Sequence, residues 1–292
     1  MKVLKDKKAW IVFMAPALLF YIATVFVPII QSLLYGFQNW NGIGDRSYIG
    51  FDNYVKMYRD PFFWNAVKNN LGYVAIVVFM QVFIGLFLAL LLTYIKKGTS
   101  TLKTLYYLPA VIVTVAIAQL FRNIFSLQPQ GLFNIMLEFV GLGHWQKAWL
   151  SDPATALAAV SVPEGWRFIG LYMVILYSAL IAIPKETEEA ALIDGVNGWQ
   201  LIRHIKLPSI ANVISLCLIM CITGALRGFD IPYMIGVPGS STELVTTYMY
   251  KKAFSSMQYG YGSSIAVFIV LESIIAVAII NALFKLRKGD AA

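Results

Sequence analysis

Glu272 interrupts an apolar run that extends from about Ser263 to Phe284, and Ser273 lies beside it. A carboxyl held deep in hydrocarbon is costly unless it faces water or a partner. Two readings stand: a carboxylate that lines or gates a pore, and a side chain that hydrogen-bonds a neighbouring helix in its neutral form. Gln81, in another apolar run, reads as a polar contact between helices. Little supports covalent chemistry. No nucleophile–base pair stands out, so no catalytic residue is assigned. The chain has no Gly-x4-Gly-Lys-Ser/Thr phosphate loop. His144 and His204 form no metal-ligand pattern with Cys217 and Cys221, so no metal site is assigned either. The two cysteines, four apart in an apolar run, read as small apolar residues on one helix face.

The most informative stretch is IPKETEEAALIDGVNGWQLIRHIKLP, Ile183 to Pro208. Thr187 is a candidate cap for a helix that opens with Glu188 and Glu189, acids suited to a helix N-terminus. Ala190, Ala191, Leu192 and Ile193 continue it. Gly195 then supplies a sharp turn at which a side chain would be strained. A second, amphipathic helix follows. Trp199, Leu201, Ile202 and Ile205 form its apolar side, and Gln200, Arg203, His204 and Lys206 its polar side. Leu207-Pro208 is expected to end it and re-enter the membrane. The product is a rigid helix–turn–helix whose small residues let another protein approach closely. An ordinary interfacial loop is the plainer reading of the same residues.

The elements that must position this loop follow from composition. Of 292 residues, 59% are hydrophobic and 13% charged. Soluble domains average about 45–50% apolar and about 25% charged, so the chain has too little polar surface for water. The net charge of +8 does not indicate nucleic acid, because the basic residues flank apolar runs. A helix needs about 20 apolar residues to cross a bilayer, and six segments approach this. They are one within Ala9–Phe37, with Pro16 and Pro28 as bend points; Leu71–Ile95; Thr104–Phe121; Phe168–Pro184, extended through Trp166 and Arg167; Leu207–Leu226; and Ser263–Phe284. The first is too long for a signal-peptide core and reads as a retained span. Lys and Arg concentrate before the first span, between the second and third, between the fourth and fifth, and after the sixth. These segments hold 13 of 23 basic residues, which places both termini in the cytoplasm. The expected layout is a cytoplasmic N-terminus at 1–8, a first transmembrane helix at 9–37, an external loop with short helices at 38–70, a core of five transmembrane helices at 71–284 containing a cytoplasmic loop at 184–208, and a cytoplasmic tail at 285–292. Gly131–Val140 has helical spacing and reads as a short interfacial helix. Gly236–Glu243 reads as turns. Arg227 and Asp230 flank the outer end of the fifth span; they either line a vestibule or pair with each other, the simple pair being the preferred reading.

The loop resembles the coupling (EAA) motif of permeases of ATP-driven (ABC-type) importers. Glu189-Ala190-Ala191 is followed by Gly195, Ile205, Leu207 and Pro208 with every family spacing intact. Ile193-Asp194-Gly195 with Trp199-Gln200 resembles the carbohydrate branch. So do Tyr48-Ile49-Gly50-Phe51-Asp52-Asn53-Tyr54, Asp60-Pro61-Phe62-Phe63-Trp64-Asn65, Tyr107-Leu108-Pro109, Phe229-Asp230 and Tyr259-Gly260-Tyr261-Gly262. The resemblance covers nearly the whole chain and is nearest the maltose-type membrane subunit. It implies an all-α membrane protein of the type I ABC importer permease fold, with six transmembrane helices and a cytoplasmic coupling helix that seats in a cleft on the ATPase. Coupling then falls to Glu189, Ala190, Ala191, Asp194, Gly195, Ile205, Leu207 and Pro208.

The resemblance further implies a multi-pass subunit of the bacterial cytoplasmic membrane that imports a sugar, an oligosaccharide in particular. This chain would bind no cofactor, since ATP and Mg belong to the partner ATPase. The implied partners are a second homologous permease making a heterodimer, two ATPase subunits, an extracytoplasmic sugar-binding protein and membrane lipid. Substrate contacts are expected around the helices flanking the loop. These give Trp166, Phe168, Leu171 and Tyr172 before it and Cys221, Gly224, Ala225 and Gly228 after it, with Glu272 as a further pathway candidate; close helix packing is the alternative reading of each. Another solute such as a glycerol-phosphate ester remains open, as do an ion-coupled carrier using Glu272 and a non-transporting scaffold.

Overall fold

The computed structural model describes residues 7–236 and 239–289, with side chains described between 12 and 285. Lys2, Lys5, Val237 and Pro238, the side chains of Lys7, Lys8, Arg287 and Lys288, and the last residues of the tail fall outside this description. Among the described residues, five helices are long and apolar enough to cross a membrane: Val12–Tyr35, Pro61–Thr93, Ala156–Ile181, Ala211–Ile235 and Tyr259–Lys285. A helix pair, Thr99–Val111 and Thr114–Ile124, bent by 95°, is long and apolar enough to be a sixth when taken as one broken span. These are called the first to sixth spans in chain order, the bent pair being the third. Two compact units are present: Met1–Phe63 with Tyr248–Val270, and Trp64–Thr247 with Leu271–Ala292.

In the first unit, the first span carries a wider π turn at Ile22–Phe26. Pro28 has no N–H to return to the preceding turn, and such a turn absorbs the mismatch. After the span, Gln38–Asn39 pairs antiparallel with Ser47–Tyr48. Asn53 is buried and its amide donates to Gly36 O at 3.0 Å and Gln38 O at 2.9 Å. That clasp holds the chain reversal against the short helix Asp52–Arg59. Arg46 lies over the rings of Tyr35 and Trp40, 4.8 and 4.3 Å from their centroids. Gly260 lets the start of the sixth span lie against Gln38, because a Cβ there would collide with the Gln38 carbonyl.

Asp60 starts the second span. Its Oδ1 accepts the N–H of Phe62 at 3.0 Å and of Phe63 at 3.4 Å, as an N-cap does. Its Oδ2 accepts the hydroxyls of Tyr248 at 2.5 Å and Tyr261 at 2.6 Å. Burial raises the pKa of this carboxyl, but the four donors outweigh it and hold the value below the ordinary one. With this cap the helix begins at Pro61, upstream of Leu71, where the apolar run alone would place it.

The second unit holds the main core. Tyr73, Val77 and Val82 of the second span pack with Met173, Leu176 and Leu180 of the fourth and Cys217 and Cys221 of the fifth. Both cysteines are free and buried, as their spacing suggested. Gly85 puts the second span against the backbone of Ile169 and Met173, with room for a Cβ only at 3.3 Å. A second cluster joins Ile117, Phe121 and Phe125 to Ala159, Val160, Ile231 and Ile235.

The third span departs from the continuous rod expected over Thr104–Phe121. The helix ends at Val111, and Ile112 and Val113 are extended, with ψ of 137° and 136°. Pro109 removes one backbone donor near this end, and the β-branched run Val111-Ile112-Val113 tolerates extension well. Arg167 of the fourth span fixes the break. Its Nη1 donates to Thr114 Oγ1 at 2.9 Å and its Nη2 to Ile112 O at 3.3 Å. Gly170, one turn on, lies against the backbone of Tyr106 so closely that a Cβ would overlap the Tyr106 carbonyl. The helix Leu132–Phe139 forms where the short interfacial helix was expected. Arg227 and Asp230 make no ion pair; Arg227 Nε donates to Thr223 O at 3.0 Å, because a guanidinium at the helix C-cap reaches the free carbonyls of the last turn readily.

Candidate functional site

The stretch between the fourth and fifth spans folds as an elbow of two short helices. The first is Lys185–Ile193. Pro184, extended at ψ 132°, precedes it, and Thr187 lies in its first turn with its N–H on Pro184 O at 3.1 Å. Thr187 is therefore inside the helix, not its cap; a proline at the boundary starts the helix earlier because its φ is already set. Glu186 and Glu188 stand in the first turn, where the helix dipole favours acids.

The first helix stops in a two-bond motif. Val196 N–H donates to Ala191 O and Gly195 N–H to Leu192 O, both at 3.1 Å. This pattern needs a left-handed residue, and Gly195 has φ +81°. The second helix begins with a reciprocal cap. Gln200 N–H donates to Asn197 Oδ1, and Asn197 N–H to Gln200 Oε1, both at 2.9 Å. The helical path continues through a π turn at Leu201–Lys206 and on through Leu207–Ser209. It breaks at Ile210, just before the fifth span at Ala211. Leu207-Pro208 thus widens the helix without ending it, since the proline sits at the start of a new turn where its missing N–H is tolerated.

Burial divides the elbow into an inner and an outer side. Ala191 and Leu201 are buried and Ile205 and Leu207 half-buried. Glu189, Ala190, Asp194, Gly195 and Pro208 are exposed. Ile193 is 86% exposed and Trp199 67%; Trp199 was placed with the inner apolar side in the sequence and faces outward. Lys206 was placed with the polar side and is 5% exposed. Its ammonium pairs with Glu188 Oε2 at 3.1 Å and lies 5.7 Å from the Tyr94 ring centroid. The outer side therefore combines the acids Glu189 and Asp194 with small and large apolar residues, on a backbone braced at the turn, at the cap and by one ion pair. Apolar side chains of this size left in water mark a docking surface.

The pathway candidates are spread over two environments. Tyr172, Cys221 and Ala225 lie in the main core. Trp166, Phe168, Leu171 and Gly228 are half-buried, and Gly224 is exposed with open space around it. Trp166 packs edge-on to Phe121, 5.5 Å between centroids, and Phe168 lies under the Arg167 guanidinium at 4.9 Å. Glu272 is half-buried, and its Oε2 has no hydrogen-bond partner among the described residues.

Gln81 ties three spans together. Its Nε2 donates to Glu164 O at 2.8 Å and its Oε1 accepts Cys221 Sγ–H at 3.2 Å, the interhelical role its sequence setting suggested. The π turn at Phe79–Ile84 carries Gln81. Glu164, whose carbonyl Gln81 holds, was not singled out in the sequence. The fourth span was expected from Phe168, extended through Trp166, whereas it runs from Ala156 to Ile181 and contains Glu164. An acid within a long helix was the available signal, obscured because the span was expected to start only near Trp166.

Comparison with known proteins places these features. The family model described as binding-protein-dependent transport system inner membrane component matches residues 81–288. The chain is 34% identical to the probable ABC transporter permease protein YurN of Bacillus subtilis (strain 168), over 95% of this chain and 96% of that one. It is 31% identical to the probable starch degradation products transport system permease protein AmyD of Thermoanaerobacterium thermosulfurigenes, over 95% and 94%. A chain in the crystal structure of a bacterial ABC transporter for import of the acidic polysaccharide alginate superposes with a TM-score of 0.82 at 24% identity, covering 98% of this chain and 99% of that chain.

Proposed function

Because the chain belongs to the family of binding-protein-dependent transport system inner-membrane components, we propose that it is the permease subunit of an ATP-driven sugar importer whose elbow docks on a separate ATPase. The observation that carries the coupling role is the elbow itself. Glu189, Ala190, Ile193 and Trp199 are held outward, and the turn at Gly195 and the pair Glu188–Lys206 keep the backbone rigid. A rigid projection transmits displacement; a loose loop would absorb it.

The sugar rests on the relatives. AmyD carries starch degradation products in its name, and the carbohydrate-branch text recurs along this chain. A neutral oligosaccharide also suits a chain with no basic cluster in its spans. Half of a pathway needs a second permease of similar size, and delivery needs an external binding protein. ATP and Mg belong to the ATPase. The elbow and both termini are cytoplasmic in this reading. A cysteine introduced at Gly198 tests the orientation: it should react with a membrane-impermeant thiol reagent only from the cytoplasmic side, and reaction from outside would reverse the topology.

A further inference from the structure

The fifth and sixth spans flank an open cleft of about 380 Å³ at one of their ends. Four polar side chains line it: Asn212 and Ser215 from the first turns of the fifth span, and Asn281 and Lys285 from the last turns of the sixth. Ser215 is 9% exposed. Among the described residues, the lining thus offers one buried hydroxyl, two amides and one cation, and no acid. Apolar Leu216, Ile219 and Phe284 complete the wall.

Polar groups one or two turns inside a span are costly when they face lipid tails alone. Several waters, at about 30 Å³ each, would fit this space. The lining offers more. Its donors converge beside a cation, with apolar wall next to them, which is the arrangement that a phosphate ester joined to a glycerol and acyl chains would satisfy. Basic pockets between transmembrane helices on the cytoplasmic side bind anionic headgroups in this manner. The fifth span starts directly after the elbow, so this end of the cleft lies on the elbow's side of the membrane.

We propose that this cleft binds the phosphate headgroup of an anionic lipid of the leaflet facing the elbow, with Lys285 supplying the charge and Ser215 and Asn281 the directed hydrogen bonds. The proposal needs only the spans and the cleft, not the nature of the transported solute.

The test uses the purified transporter, with its co-purifying subunits, in bilayers of phosphatidylethanolamine with phosphatidylglycerol. Native mass spectrometry counts the lipids retained. The wild type should keep one phosphatidylglycerol that Lys285→Gln and Asn281→Leu lose. One juxtamembrane cation contributes about 1 kcal/mol, so Lys285→Gln should lower occupancy about fivefold. Lys97→Gln is the charge-matched control between the second and third spans and should leave it unchanged. Three results would each overturn the proposal: no retained lipid, equal loss in the Lys97 control, or efficient cross-linking of Ser215→Cys to another polypeptide of the complex, which would assign the cleft to a subunit contact. Full protection of a Ser215→Cys thiol by inorganic phosphate in lipid-free detergent would also overturn it, by assigning the site to a free anion.

Discussion

The ammonium of Lys206 sits 3.1 Å from Glu188 Oε2 and joins the two helices of the elbow. The pair is lopsided: the lysine side chain is 6% exposed and the glutamate 29%. Removing the glutamate leaves a nearly buried cation, whereas removing the lysine leaves an acid that can reach water.

Glu188→Gln should therefore loosen the elbow more than Lys206→Met does. Breaking a fully buried pair costs about 3–5 kcal/mol, and the exposure of Glu188 reduces this to about 1–3 kcal/mol here. Hydrogen exchange of residues 185–206 is the readout. Exchange should speed up in Glu188→Gln and return towards the wild-type rate in Glu188→Gln/Lys206→Met. Equal exchange in all variants would mean that the pair does not brace the elbow.

Gly195 tests the turn separately from contact. Nothing lies within 4 Å of a Cβ built there, but its φ is +81°. A left-handed residue with a side chain costs roughly 1–2 kcal/mol, less for Asn. Gly195→Val should impair co-purification with the ATPase and uptake, while Gly195→Asn retains most of both. Similar loss in the two variants would point to a contact with the partner instead of backbone strain.

Arg167 braces the bend in the third span through Thr114 and Ile112. Arg167→Met should lower thermal stability by about 1.5–3 kcal/mol, the usual worth of hydrogen bonds from a charged donor. Arg167→Lys should recover only part, since an ammonium lacks the planar fork. Full recovery by lysine would show that charge alone matters.

Asp60 makes a pH-dependent contribution. Its carboxyl is held below its ordinary pKa, so the folded state favours the ionised form. That stabilisation is fully present above the unfolded value of about 3.9 and disappears as pH falls through the folded value. Asp60→Asn should therefore destabilise the protein at neutral pH, and the gap from wild type should close in strong acid. A gap that stays constant down to the acid limit would exclude the ionised cap.

The sequence showed whatever depends on runs and local turns. Apolar stretches located the spans, and Gly195 located the turn. Of the motif positions, Glu189, Ala190, Asp194, Gly195 and Pro208 are exposed, Ala191 is buried, and Ile205 and Leu207 are half-buried. What it hid depends on residues far apart in the chain. Arg167 and Ile112 are 55 positions apart, Gln81 and Cys221 are 140 apart, and Asp60 reaches Tyr248 across 188. Periodicity carries no information on such pairs. Lys206 and Trp199 were misassigned for a related reason: amphipathic spacing orders residues around one helix, but the elements packed against it decide which face is covered, here Glu188 of the first helix and Tyr94 against Lys206. The bend at Ile112 was half visible, because Pro109 marks a weak point and only the Arg167 contact shows where the chain turns.

The most direct test is sugar accumulation in proteoliposomes containing the whole complex, with ATP enclosed and the binding protein and labelled oligosaccharide outside. The account predicts accumulation that requires the enclosed ATP and the ATPase subunits and that falls to background with Glu189→Lys in this chain. Accumulation that persists without the ATPase, or that follows an imposed proton gradient instead, would contradict it.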